Sequence, residues 1–162
     1  MVKAHDDEFR EFVMAVSPQL LHYARLLCGD SQQAEDLVQE ALIGVYRRWT
    51  TIHTDRLAYT RRAILNRHLS GRRRKRHPEV PLADHDSATT DGEPPDGALV
   101  SAMSLLTPRE RAVVVLRYHL DLSEHETADY LGVAQGTVKS TTNRAINKLR
   151  AALSHTSHQE LR

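Results

Sequence analysis

The sequence predicts an all-α fold, arranged as two small helical domains joined by a flexible acidic linker. Three observations carry this. Of 162 residues, 40% are apolar but only 5% aromatic, and Ala, Leu, Arg and Glu recur where a sandwich or barrel would alternate Val, Ile and Thr. Apolar residues return at three- and four-residue spacing through 9–69 and again through 112–153, the period of a helix with one buried face. Between these blocks, residues 78–98 hold four of the six prolines, two glycines and no periodic apolar pattern, too little to bury for a fold of their own. The expected boundaries are 6–77 and 99–154 for the two domains, 78–98 for the linker and 155–162 for a disordered tail.

In the first domain, Phe9, Phe12, Val13 and Val16 mark one helix, and Ser17-Pro18 supplies a cap and first-turn proline for a second, carrying Leu20, Leu21, Ala24 and Leu27. Gly29 ends it, and Asp30-Ser31 opens a longer helix with Ala34, Leu37, Val38, Ala41, Val45 and Trp49 inward. Asp36, Gln39, Glu40 and Arg47 then face solvent or a partner. After a break at Thr50-Thr51, a helix over Asp55 to Ser70 buries Leu57, Ala58, Ile64, Leu65 and Leu69. Tyr59, Arg62, Asn66 and Arg67 project together from it, groups able to stack on bases, pair with phosphates and bond base edges. Tyr59 and Asn66 equally suit inter-helix packing and capping.

In the second domain, Thr107-Pro108-Arg109-Glu110 and Ser123-Glu124-His125-Glu126 are capping boxes that start two helices. The first buries Ala112, Val113, Leu116 and Leu120. The second runs through Ala128 and Leu131 to a turn at Gly132-Val133, and a third helix from Thr137 to Leu153 carries Val138, Ala145, Ile146, Leu149 and Leu153 inward. This is helix-turn-helix spacing, with an αα-hairpin against a protein partner as the alternative. In such a motif the last helix enters the major groove by its N-terminal half, here Gln135, Thr137, Lys139, Ser140, Asn143 and Arg144, with Lys148 and Arg150 towards the backbone.

Charge is segregated behind the net +1. Residues 1–77 carry 14 Lys/Arg against 9 Asp/Glu, 78–98 carry 0 against 6, and 99–162 carry 8 against 6. Nine of the basic residues lie between Arg56 and His77 with no acid among them, a concentration that a nucleic acid stabilises through counterion release. No apolar run exceeds five residues and Met1 to Asp7 is polar, so neither membrane insertion nor secretion is expected. Cys28 is the sole cysteine, read as a small buried hydrophobe. The ten histidines show no metal-ligand spacing, and no carboxylates cluster with them. Neither a metal, a cofactor nor the machinery of a nuclease or metal hydrolase is expected.

Read together, Ala34-Glu-Asp-Leu-Val-Gln-Glu40, Tyr46-Arg-Arg-Trp49, Ala58-Tyr-Thr-Arg-Arg62 through Asn66, Leu106-Thr-Pro-Arg-Glu110, Thr127-Ala-Asp-Tyr-Leu-Gly-Val133 and Gly136-Thr-Val-Lys-Ser140 resemble an extracytoplasmic-function sigma factor of the actinobacterial sigma-E type. That resemblance covers residues 9–153. It implies a bacterial, cytoplasmic initiation subunit that catalyses no bond change, with the first domain as region two and the second as region four. Asp36, Gln39, Glu40 and Arg47 would dock on the clamp helices of core RNA polymerase, whose flap would hold region four. Tyr59, Arg62, Asn66, Arg67, Arg72 and Arg73 would read the minus-10 element as a single strand. Gln135, Thr137, Lys139, Ser140, Asn143, Arg144 and Lys148 would read the minus-35 element as duplex. The linker would thread towards the polymerase cleft, and an anti-sigma factor is the family's usual control. Two departures stand out: Ala134 replaces a common Ser cap, and Thr141-Thr142 replaces an Arg-containing pair, predicting the absence of a phosphate contact. The second domain alone also resembles LuxR-type regulators, but residues 1–77 lack the α/β receiver or ligand domain expected there.

Overall fold

A computed structural model of the protein describes residues 2–74 and 97–159. Seven α-helices run through these residues, with no strand among them. They are α1 (Val2–Cys28), α2 (Ser31–Arg47), α3 (Arg56–Arg74), α4 (Gly97–Ser104), α5 (Pro108–Val114), α6 (Glu124–Leu131) and α7 (Gln135–Gln159). A 3-10 turn (Trp49–Thr51) follows α2, and a π segment (Val115–His119) prolongs α5.

The expected break at Ser17-Pro18 is absent: α1 is one helix with Pro18 inside it. Pro18 is exposed, and the carbonyl it leaves without its i+4 donor belongs to Met14, which is 75% exposed. The defect therefore faces water, while Val16, Leu20, Tyr23, Ala24 and Leu27 bury the opposite face and hold both halves in line. Gly29, at φ +73°, ends α1, and Asp30 caps α2 by accepting the Gln33 N–H at 2.6 Å.

Three other expectations change at element ends. Gly97 and Ala98, assigned to the linker, open α4. The expected tail continues α7 as far as Gln159, and Leu153 is 38% exposed rather than inward, because the helix runs past the elements that cover its earlier turns. Residues 78–96 of the linker lie outside the described residues, as do Lys75 and Arg76 of the basic cluster.

The packing adds something that periodicity does not report. Buried residues of α1, α2 and α3 and of α4, α5 and α7 form one continuous core, from Leu20, Leu27 and Ile64 to Met103, Leu116 and Leu149. At its seam lies Arg111, 8% exposed. Its guanidinium donates to the Met103 carbonyl (3.0 and 2.8 Å) and, across the seam, to the Leu27 carbonyl (3.2 Å). A side chain at Gly29 would meet this guanidinium, since a Cβ there would lie 3.1 Å from Arg111 Nη1. Nearby, the His22 and His119 rings approach to 5.2 Å. Burial, with smaller contributions from His22 and Arg61, holds the His119 imidazole below its usual value.

Candidate functional site

Three surfaces carry the candidate residues. On α2, Ala34, Leu37, Val38, Ala41 and Val45 are buried, which turns Asp36, Gln39, Glu40 and Arg47 outward, all four exposed. Beside Gln39 and Arg47 runs a shallow groove floored by Phe9, Val13, Leu42, Ile43 and Tyr46.

The second surface is α3. Asp55 starts the helix, its carboxylate accepting the Leu57 and Ala58 N–H groups at 2.9 and 3.2 Å. The entry is fixed by Trp49, 2% exposed, which meets Phe9 and Phe12 at ring centroid distances of 5.2 and 5.1 Å and lies under the Arg56 guanidinium at 3.9 Å. Ile64 and Leu65 are fully buried. Thr60 is buried too, its hydroxyl donating to the Arg56 carbonyl. Arg62, Asn66 and Arg67 are exposed and Tyr59 half-buried. The Tyr59 hydroxyl accepts from Arg48 Nη1 at 3.2 Å, a partner that spacing along α3 alone does not reveal. Arg67 lies 3.7 Å from Glu40, so the α2 and α3 surfaces are contiguous. Arg72 and Arg73 fall in the last turns of α3, with their side chains outside the described set. Arg62 is already engaged, donating to the Asp129 carbonyl of α6 at 3.2 Å.

The third surface is the helix-turn-helix. Both capping boxes form: the Thr107 hydroxyl accepts the Glu110 N–H at 3.2 Å, and that of Ser123 accepts the Glu126 N–H at 3.1 Å. Gly132, at φ +65°, makes the turn, where a residue with a Cβ would be strained. Val138 is fully buried against Val113 and Ala128. The α7 helix begins at Gln135, with the Ala134 carbonyl accepting from the Thr137 and Val138 N–H groups. Gln135, Thr137, Lys139, Ser140, Asn143 and Arg144 all lie on the exposed side. Thr141 and Thr142 do not: they are 2% and 8% exposed, and the Thr142 hydroxyl donates to the Val138 carbonyl. Their place is in the packing, where neither hydroxyl is presented to solvent.

Lys148 is exposed but tied to Glu110, its Nζ 2.8 and 3.1 Å from the carboxylate oxygens. The same carboxylate accepts the Thr107 N–H at 2.9 Å. Burial pushes the Glu110 carboxyl up, but Lys148 and the Thr107 bonds outweigh it and leave it below its usual 4.5. A depressed carboxylate stabilises the fold above its unfolded value and loses that contribution as pH falls through the folded one. The difference in Tm between wild type and Glu110→Gln should therefore be largest at neutral pH and shrink below about pH 4.5. Thermal unfolding followed from pH 7 to pH 3 checks this, and a constant difference would contradict it.

Fold and surfaces define an all-helical protein with a helix-turn-helix in its C-terminal half and no grouping of metal-ligating side chains among the described residues. Two family models match it: "Sigma-70 region 2" over residues 12–77 and "Sigma-70, region 4" over 102–151. The chain is 40% identical over 152 residues to the RNA polymerase sigma-E factors of Streptomyces avermitilis and Streptomyces coelicolor, covering 90% of this chain and 85% and 86% of theirs. It is 32% identical over 150 residues to the ECF RNA polymerase sigma factor SigL of Mycobacterium tuberculosis, covering 83% of this chain and 82% of that one. Among solved structures, the sigma factor RpoE in complex with the anti-sigma factor NepR from Bartonella quintana superposes with a TM-score of 0.70 at 24% identity, over 91% of this chain and 97% of that one. CnrH in complex with the cytosolic domain of CnrY gives 0.61 at 21%, over 93% and 90%; at these identities the two share the fold. The chain belongs to the sigma-70 family, in its extracytoplasmic-function group. The LuxR-type alternative finds no support, since region two fills the N-terminal half.

Proposed function

We propose that this sigma factor works through the three surfaces as three separate contacts. The exposed face of Asp36, Gln39, Glu40 and Arg47 takes the clamp helices of core polymerase. The α3 face of Tyr59, Arg62, Asn66 and Arg67, continued by Arg72 and Arg73, holds the single-stranded minus-10 element. The outward half of α7, from Gln135 to Arg144, reads the minus-35 duplex, with Lys148 at its backbone edge. The observation carrying this is that Asp36, Gln39, Glu40 and Arg47 on α2, Arg62, Asn66 and Arg67 on α3, and Gln135, Thr137, Lys139, Ser140, Asn143 and Arg144 on α7 are exposed on the side of their helix away from the buried face. Residues 6–77, 78–98 and 99–154 act as reader, tether and reader. Two weak DNA contacts on one tether gain strength from effective concentration once the polymerase holds both.

The protein is a binding subunit that brings no bond-making chemistry of its own and acts in the bacterial cytoplasm alongside the polymerase. No helix among the described residues is long and apolar enough to cross a membrane. The RpoE and CnrH neighbours are solved with NepR and with CnrY, and a comparable anti-sigma factor covering the α2 and α3 surfaces is the control we assign here. The test is run-off transcription with purified bacterial core polymerase on a promoter selected from a randomised template pool. Transcript is expected only when core and this protein are both present. Specific duplex binding without any core-dependent transcript would overturn the reading.

A further inference from the structure

We infer that Arg48 is a positioning residue of the strand reader on α3: it holds Tyr59 from across the α2–α3 turn and commits the phenol proton to a hydrogen-bond acceptor of the melted strand. The inference rests on the α3 reading proposed above and adds to it one residue and the chemistry of one contact. Spacing along a single helix does not single Arg48 out, since its partner stands on the next one.

The turn is built around Arg48. Its N–H closes α2 on the Val45 carbonyl at 3.0 Å. Its own carbonyl accepts from the Thr51 N–H and hydroxyl, each at 2.9 Å, and from the Ile52 N–H at 3.1 Å. Val45, Trp49 and Ile52 are buried and form the small apolar cluster against which Tyr59 packs. The Arg48 backbone is thus fixed while its side chain stays exposed, and its Nη1 donates to the Tyr59 hydroxyl at 3.2 Å. Tyr59 is held at both ends, the ring by the cluster and the oxygen by the guanidinium.

The polarity of that bond decides what the hydroxyl does next. A guanidinium offers only donors, so the phenol oxygen accepts and its single proton is left for another acceptor. Donation from a cation also polarises the O–H group and strengthens the bond it gives. A melted strand supplies such acceptors as phosphate oxygens and as the acceptor atoms of unpaired base edges. An exposed arginine in a nucleic-acid reader has the alternative of binding phosphate itself, and the test separates the two roles.

The experiment uses holoenzyme assembled from this chain and purified bacterial core polymerase. The probe is a fluorescein-labelled single strand carrying the minus-10 segment of the promoter selected from the randomised pool, and anisotropy gives its affinity over a range of salt concentrations. Arg48→Ala and Tyr59→Phe, each folded by circular dichroism, are expected to weaken binding about three- to tenfold, the scale of one hydrogen bond. The double variant should bind no more weakly than either alone, and the salt slope of Arg48→Ala should match wild type. Arg48→Lys, which keeps a donor, should recover part of the loss. Additive losses with a salt slope smaller by about one phosphate would make Arg48 a direct phosphate ligand and overturn the inference. Wild-type affinity in either single variant overturns it too. Tyr59→Ala separates the two levels. Weak binding by Tyr59→Ala beside wild-type binding by Arg48→Ala and Tyr59→Phe sinks the positioning role alone; wild-type binding by Tyr59→Ala sinks the α3 reading with it. Strands of altered sequence then identify the acceptor: a Tyr59→Phe loss uniform across sequences marks a phosphate oxygen, and one confined to a single base marks a base edge.

Discussion

Asp36→Arg combined with Glu40→Arg is expected to give a folded protein that no longer binds core polymerase. Both side chains are exposed on α2. Within the chain the change breaks the pairing of Glu40 with Arg67 at 3.7 Å, a surface ion pair of little weight in stability. Across an interface the balance differs. Truncating one partner of a desolvated charge pair costs about 2–5 kcal/mol, and reversal adds repulsion, so affinity should fall at least about thirtyfold. The measurements are pull-down of purified core and promoter-specific run-off, set beside the unfolding curve of the variant. A wild-type Tm with no transcript is the expected pair. Retained core binding would move the docking face elsewhere, with the apolar groove of Phe9, Val13, Leu42 and Ile43 as the next surface to alter.

Trp49→Ala should have the largest effect on stability. The indole is 2% exposed and joins three elements: Phe9 and Phe12 of α1, the end of α2, and Arg56 at the start of α3. Removing a buried aromatic of this size costs about 3–5 kcal/mol, or roughly 6–20 °C in Tm for a chain of this length. Trp49→Phe should recover most of it. The substitution bears on function as well, because Trp49 fixes the angle at which α3 leaves the preceding turn and hence where Tyr59 and Arg62 point. Thermal unfolding by circular dichroism checks the magnitude; a shift of under about 2 °C would show that the site collapses to fill the space.

Much of this fold is legible in the sequence because it is local. Capping boxes at Thr107 and Ser123, the left-handed turn at Gly132 and the plug at Val138 are each specified within a few residues, and all four stand in the structure. The outward faces of α2 and α7 follow from helical period in the same way. The failures concern what a buried face is buried against. Periodicity places Arg62 outward but cannot show that Asp129, 67 residues on, accepts its hydrogen bond. It has no means of finding Arg111, whose partners lie 8 and 84 residues away. The signal available is an arginine directly before the apolar run Ala112 to Leu116. Pro18 misleads because proline is a reliable helix start only where no packing spans it, and α1 is clamped on both sides of the defect. Thr142 can be buried because its hydroxyl bonds the Val138 carbonyl of the preceding turn, a pairing that composition alone does not announce.

Arg111 also sets how firmly the two halves hold together. Leu27 and Met103 lie in the last turns of α1 and α4, so one guanidinium meets the negative ends of two helix macrodipoles. Two of its bonds, to the Met103 carbonyl, stay within the C-terminal half, and one, to the Leu27 carbonyl, crosses over. The guanidinium thus ties together the C-terminal ends of two helices that stand 76 residues apart in sequence. A lysine in its place would bring one compact ammonium in place of a planar fork whose separate nitrogens reach the Met103 and Leu27 carbonyls at once, so the arginine fixes the spacing of the two helix ends as well as neutralising them.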